Sequence, residues 1–110
     1  MNQELLNICS EVRTRQIDRY KTVNGACKET AIAIAFEAAK SNMTVCICAG
    51  TYGGEAHYWI RHENTIYDAT ASQFGVTEDV LVIHESDAIN FNEESFVIVN
   101  GALVSHLLST

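Results

Sequence analysis

An α+β fold, with helices first and an antiparallel sheet after them, is predicted by three features of this 110-residue chain. The first 40 residues carry helical hydrophobic spacing, and the next 40 carry short β-branched runs broken by turn dipeptides. A composition that is 47% hydrophobic and 19% charged leaves enough apolar surface for a core and argues against disorder. At this length one domain spanning residues 1–110 is expected, with at most one site and no room for a separate cofactor domain.

The elements follow in order. Between residues 4 and 20, Leu5, Ile8, Cys9, Val12 and Ile17 approximate one helical face, with Arg13, Arg15, Asp18 and Arg19 largely off it. Asn24-Gly25 signals a turn. Residues 27–40 (CKETAIAIAFEAAK) have Ala-rich helix propensity and apolar side chains almost all round after Thr30, which predicts a short helix buried on most of its surface. Residues 44–52 read as a strand bounded by Gly53-Gly54. Residues 56–62 and 65–69 flank Glu63-Asn64 as a hairpin, and residues 80–84 form a fourth strand. Residues 86–92 read as loop. Residues 93–108 hold enough apolar residues for a terminal helix, although Phe96 to Val99 fit a strand closed by Asn100-Gly101 equally well.

Charge and composition exclude several function classes. The net charge of −7, without a block of Lys or Arg, disfavours nucleic acid and anionic membrane surfaces as partners. The longest apolar run, residues 31–36, is far below the roughly 20 residues of a membrane span. Residues 1–4 carry neither a basic nor an apolar leader segment, so the expectation is a cytoplasmic protein whose four cysteines, Cys9, Cys27, Cys46 and Cys48, are thiols. Cys46 and Cys48 share a strand face too far apart to bridge. No C-x-x-C or H-x-x-x-H spacing appears, so no metal is expected. Gly53-Gly54 lacks the context of a phosphate loop and reads as a flexible rim just before His57. No cofactor is implied. His84 and His106 fit no pattern.

The chemistry-bearing residues are Cys27, His57 and Asp68. Cys27 opens the second helix, where unpaired N–H groups and the helix dipole stabilise a thiolate and can later bind an oxyanion. Taken alone, a cysteine there equally suits a small core site. The hairpin adds weight. A two-residue turn at Glu63-Asn64 pairs His62 with Thr65, Ile60 with Tyr67, Trp59 with Asp68 and His57 with Thr70. His57 and Asp68 then become diagonal neighbours on one face, within hydrogen-bonding reach, whereas a three-residue loop would put Asp68 on the opposite face. Such a carboxylate orients the imidazole and leaves its other nitrogen to serve the thiol. Gln73 lies close enough after Asp68 to bond within the site, or to stabilise a turn. Trp59 shares the face and either walls the site or packs in the core. Thr30 packs or bonds locally on the helix.

The blocks G-A-C-K-E-T-A (25–31), H-Y-W (57–59) and I-Y-D-A-T-A-S-Q-F (66–74) resemble the pattern G-x-C-x-x-T-A, H-Y-W, D-x-T-x-x-Q-F of a group of small bacterial proteins. These are similar in turn to the papain-like and transglutaminase-like superfamily, and the match covers about residues 24–74. The resemblance implies a nucleophile helix packed on a small antiparallel sheet. It also implies thiol chemistry on an amide or acyl group of a protein or peptide, with Cys27 as nucleophile, His57 as base then acid, and Asp68 as orienter. Papain-like enzymes often place a Gln upstream of the nucleophile for the oxyanion. Here Asn24 is the nearer candidate and Gln16 the more remote. Amide hydrolysis, glutamine deamidation and transfer to an amine share this first half. A different class, a binding protein that keeps the fold without turnover (an inhibitor, immunity or phage counter-defence factor), also suits a small acidic chain.

Overall fold

The computed structural model describes residues 1–109, which form three helices and a five-stranded antiparallel sheet. Helix α1 spans Gln3–Tyr20. Asn2 caps it by accepting the Leu5 N–H at 2.9 Å, and Lys21, in the left-handed conformation, closes it by donating its N–H to the Ile17 carbonyl at 2.7 Å. Its buried stripe is Leu5, Cys9, Val12 and Gln16, with Ile8 and Ile17 half-buried beside it. Helix α2 spans Cys27–Lys40 and buries Ile34 together with Ala31, Ala35, Ala38 and Ala39, whose small side chains let it lie close against the sheet. It is less enclosed than its apolar sequence predicts, because Ile32 is exposed and Ala33 and Phe36 are only half-buried.

Five strands follow: β1 (Val45–Tyr52), β2 (Glu55–His62), β3 (Thr65–Asp68), β4 (Leu81–His84) and β5 (Phe91–Val99), in the spatial order β4-β3-β2-β1-β5. Helix α3 (Gly101–Ser109) closes the described chain. The period-two alternation of the strands divides the sheet's two faces. Val45, Ile60, Tyr67 and Val99 meet the helices in the main core, while Cys48, Trp59 and Ile66 form a second cluster on the other face, covered by Ala88 and Phe91. The chain reaches that second face because the segment between β4 and β5 must travel from one edge of the sheet to the other.

Two expectations require correction. Residues 93–108 are not one helix: β5 runs through Val99, Asn100 caps α3 by accepting the Leu103 N–H at 2.9 Å, and the helix begins only at Gly101. β-branched Val97, Ile98 and Val99 favour the strand, and Asn100 is a capping residue, so local chemistry divides the segment there. The strand also takes in Phe91 and Asn92, from the segment read as loop. Gly53-Gly54, read as a rim, is the turn of a hairpin between β1 and β2. Tyr52 pairs with Glu55, and both glycines have positive φ (55° and 87°), as a type I′ two-residue hairpin turn requires.

Gly50 answers a different demand. The β1–β5 pairing slips between Ala49 and Gly50, so that Ala49 faces Ser95 and Gly50 faces Glu93, with Glu94 bulged out. A Cβ at Gly50 would lie 1.9 Å from the Asn92 carbonyl oxygen and 3.0 Å from the edge of the Trp59 ring. Gly50→Ala must therefore push β5 off β1. The expected cost is about 3 kcal/mol, read as a thermal midpoint lowered by roughly 10 °C or more; an unchanged melt would show that the strand pairing gives way without penalty.

Candidate functional site

Cys27 is the first residue of α2, preceded by Ala26, which supplies no side-chain cap to the helix N–H groups. The turn before it is held from a distance: Gly25, at φ 78°, donates its N–H to Gln73 Oε1 at 3.3 Å. The same amide's Nε2 is buried and has no hydrogen-bond partner. Asn24 is exposed, and its backbone N–H bonds to Thr22 Oγ1 at 3.1 Å. Gln16 is buried on α1 with its Oε1 unpaired. Thr30 is buried in the second turn of α2, and its hydroxyl makes no hydrogen bond.

The hairpin from β2 to β3 has the two-residue turn, with His62 opposite Thr65, Arg61 opposite Ile66 and Ile60 opposite Tyr67. That register sends Tyr58, Ile60 and Tyr67 toward the helices and His57 and Trp59 to the other side. His57 Nε2 lies 2.6 Å from Asp68 Oδ2, and both side chains are inaccessible to solvent, at 0% and 1% exposure. The second carboxylate oxygen accepts the Thr70 N–H at 2.9 Å and the Thr70 hydroxyl at 3.2 Å. Both carboxyl oxygens thus have partners, as burial of a polar group requires. His57 Nδ1 is buried without a partner.

Several residues that the sequence did not single out complete the surroundings. Arg13 donates to the Ala69 carbonyl at 2.8 Å and to Ser72 Oγ at 3.1 Å, fixing the chain just after Asp68. Lying off the apolar face of α1, it gave no sign in the sequence that it was anything but solvated. The imidazole is enclosed by aromatic rings, with centroids of Phe74, Trp59, Tyr52 and Phe91 at 4.9, 6.0, 6.2 and 6.4 Å. Tyr52 stacks on Phe74 at 4.8 Å within this cage. Trp59 apart, these rings (Tyr52, Phe74 and Phe91) come from three separate segments, which left no local signal.

The three candidate catalytic residues are brought together in part. His57 and Asp68 form a pair. Cys27 lines, with Trp59, Asp68 and Thr70, a cavity of about 10 Å³ that His57 does not line, and no hydrogen bond joins its thiol to the imidazole. Cys27 and Cys46 are half-exposed, whereas Cys9 and Cys48 are buried. Burial, reinforced by the nearby Asp68 charge, pushes the Cys9 thiol up to about 12; burial, with Glu93 beside it, does the same for Cys48. Among the described residues no group of three His, Cys, Asp or Glu side chains is placed to hold a metal ion. His84 instead accepts the Ser86 N–H at 3.1 Å and shapes a surface turn. No helix among them is long and apolar enough to cross a membrane. No protein-family model, curated protein or solved structure matches the chain.

Two outcomes follow from this geometry. A thiol whose pKa is about 12 holds about one thiolate in ten thousand at pH 8. Alkylation of the folded protein at that pH is therefore expected at Cys27 and Cys46, with Cys9 and Cys48 modified only after denaturation, as peptide mass mapping would read. Asp68→Ala strands the imidazole, the Thr70 hydroxyl and the Thr70 N–H in the interior and is expected to cost about 3 kcal/mol. A chemical-denaturation midpoint unaffected by this change would mean that the pair carries no structural weight.

Proposed function

We propose that the protein is a cysteine-dependent acyl-transfer enzyme of papain-like or transglutaminase-like architecture, acting on an amide of a protein or peptide. The observation that carries this reading is the division of labour on one imidazole. When Nε2–H donates to Asp68, Nδ1 holds a lone pair, and that is the nitrogen left without a partner. A residue kept only for packing gains nothing from a buried, unpaired ring nitrogen.

In the mechanism, the Cys27 thiol gives its proton to His57 Nδ1 and the sulfur attacks the carbonyl carbon. The C–N bond breaks as the imidazolium returns the proton to the leaving amine, and a thioester remains on Cys27. Water or a second amine, deprotonated by His57, then attacks the thioester and restores the thiol. Asp68 stabilises the transient imidazolium. For the oxyanion, the uncapped first turn of α2 and the unpaired Gln73 Nε2 supply N–H donors, with Gln73 held by Gly25. This favours Gln73 over Asn24 and Gln16 for that role. Trp59 would wall the cleft.

One observation favours the second reading, a binding protein without turnover: the imidazole is sealed by aromatic rings, and the cavity of about 10 Å³ beside Cys27 has room for one water molecule at most and none for a substrate. The two readings part on thiol reactivity. Limiting iodoacetamide near pH 6 is expected to modify Cys27 well ahead of Cys46, and His57→Ala is expected to slow Cys27 by roughly tenfold or more while leaving Cys46 unchanged. Equal rates at the two thiols, or a Cys27 rate indifferent to His57, would sink the catalytic reading and leave the binding one.

A further inference from the structure

Strand β5 ends the sheet, with no strand among the described residues on its outer side. Edge strands are normally blunted by shortness, by lysine, by proline or by a bulge. This one is nine residues long and contains neither Lys nor Pro. Its bulge at Glu94 disturbs only the first half. The second half, from Ser95 to Val99, pairs regularly with β1 and presents Phe96, Val97 and Ile98 at 52%, 58% and 53% exposure. Alternation sends Phe96 and Ile98 to one face and Val97 to the other, so the strand end is apolar on both faces as well as open along its edge.

We infer that β5 pairs antiparallel with β5 of a second copy of this chain about a two-fold axis at Val97, joining two five-stranded sheets into one of ten strands. The sequence of the edge suits itself. About that axis, Val97 faces its own counterpart, Phe96 faces Ile98 of the second copy, and Ser95 faces Val99. Next to the axis apolar residues meet apolar residues on both faces, and only the Ser95–Val99 pair is mixed. The acidic residues settle the register. Glu94 falls opposite Asn100, and Glu93, whose Oε1 already accepts from Arg61 Nε at 3.1 Å in its own chain, falls opposite Gly101, at the start of the second copy's α3, where the positive end of a nine-residue helix tolerates carboxylates. An axis moved to Ser95 would instead set Glu94 against Phe96 and Glu93 against Val97. No such pairing brings two carboxylates together at the axis, which matters for copies that each carry a charge of −7.

Sedimentation of the full chain over a wide concentration range is expected to show a reversible monomer–dimer equilibrium. Val97→Lys sets two ammonium groups opposite each other at the axis and is expected to weaken dimerisation by roughly tenfold or more. Because Val97 is exposed in the monomer, its circular dichroism and melting curve should stay those of the parent. Register is read separately: under mild oxidation Val97→Cys should give a disulfide-linked dimer much faster than Glu94→Cys, since only a residue on the axis meets its own copy. A monomer at every concentration overturns the inference. So does a dimer indifferent to Val97→Lys, equal cross-linking at the two positions, or a strand of a different protein occupying this edge in place of a second copy.

Discussion

The two-residue turn at Glu63-Asn64 is the constraint on which the candidate site depends. A strand has a side-chain period of two, so one additional residue in the loop would turn Asp68 to the opposite face and separate it from His57. The turn is not built from favourable residues throughout. Glu63 sits at φ 56°, in the left-handed region where a residue with a Cβ is disfavoured. What holds it there is the ladder it closes: three residue pairs between β2 and β3, then the buried contact of 2.6 Å between imidazole and carboxylate. The energy of that pair and the strain of the turn are therefore linked.

The surroundings of the pair come from every layer of the fold. Arg13 reaches from α1 to the carbonyl of Ala69, Gln73 reaches from the turn after Asp68 back to Gly25, and Phe91 at the start of β5 closes the cage over His57. Each contact is long in sequence. Helix α2 approaches the sheet closely because alanines form its buried side, and this brings Cys27 to a cavity shared with Asp68.

Much of this was legible in the sequence. The helical stripe of α1, the start of α2 at Cys27, the four strands before residue 85 and the His57–Asp68 register all follow from local periodicity and turn chemistry. The distance between Cys27 and the imidazole was not legible, because it is set by how α2 docks and not by any spacing along the chain. Arg13 was hidden for the same reason: an arginine off an apolar stripe looks like a solvated charge until the segment that it touches is known. Gly50 was overlooked because its demand comes from the backbone of Asn92 on another strand. The division of residues 93–108 turned on one capping residue, Asn100, within an otherwise apolar run whose period suited helix and strand alike.

The sequence separation of the site's contacts carries a consequence for the order in which the molecule assembles. His57 and Asp68 are 11 residues apart, joined by one hairpin, while Gly25 and Gln73 are 48 apart. Short loops close at low entropic cost and rapidly, whereas contacts between distant segments must wait for the chain between them to be ordered. The hairpin can orient its imidazole while α2 is still undocked. A nascent chain can thus form the histidine–carboxylate pair before the helix that carries Cys27 closes over the sheet.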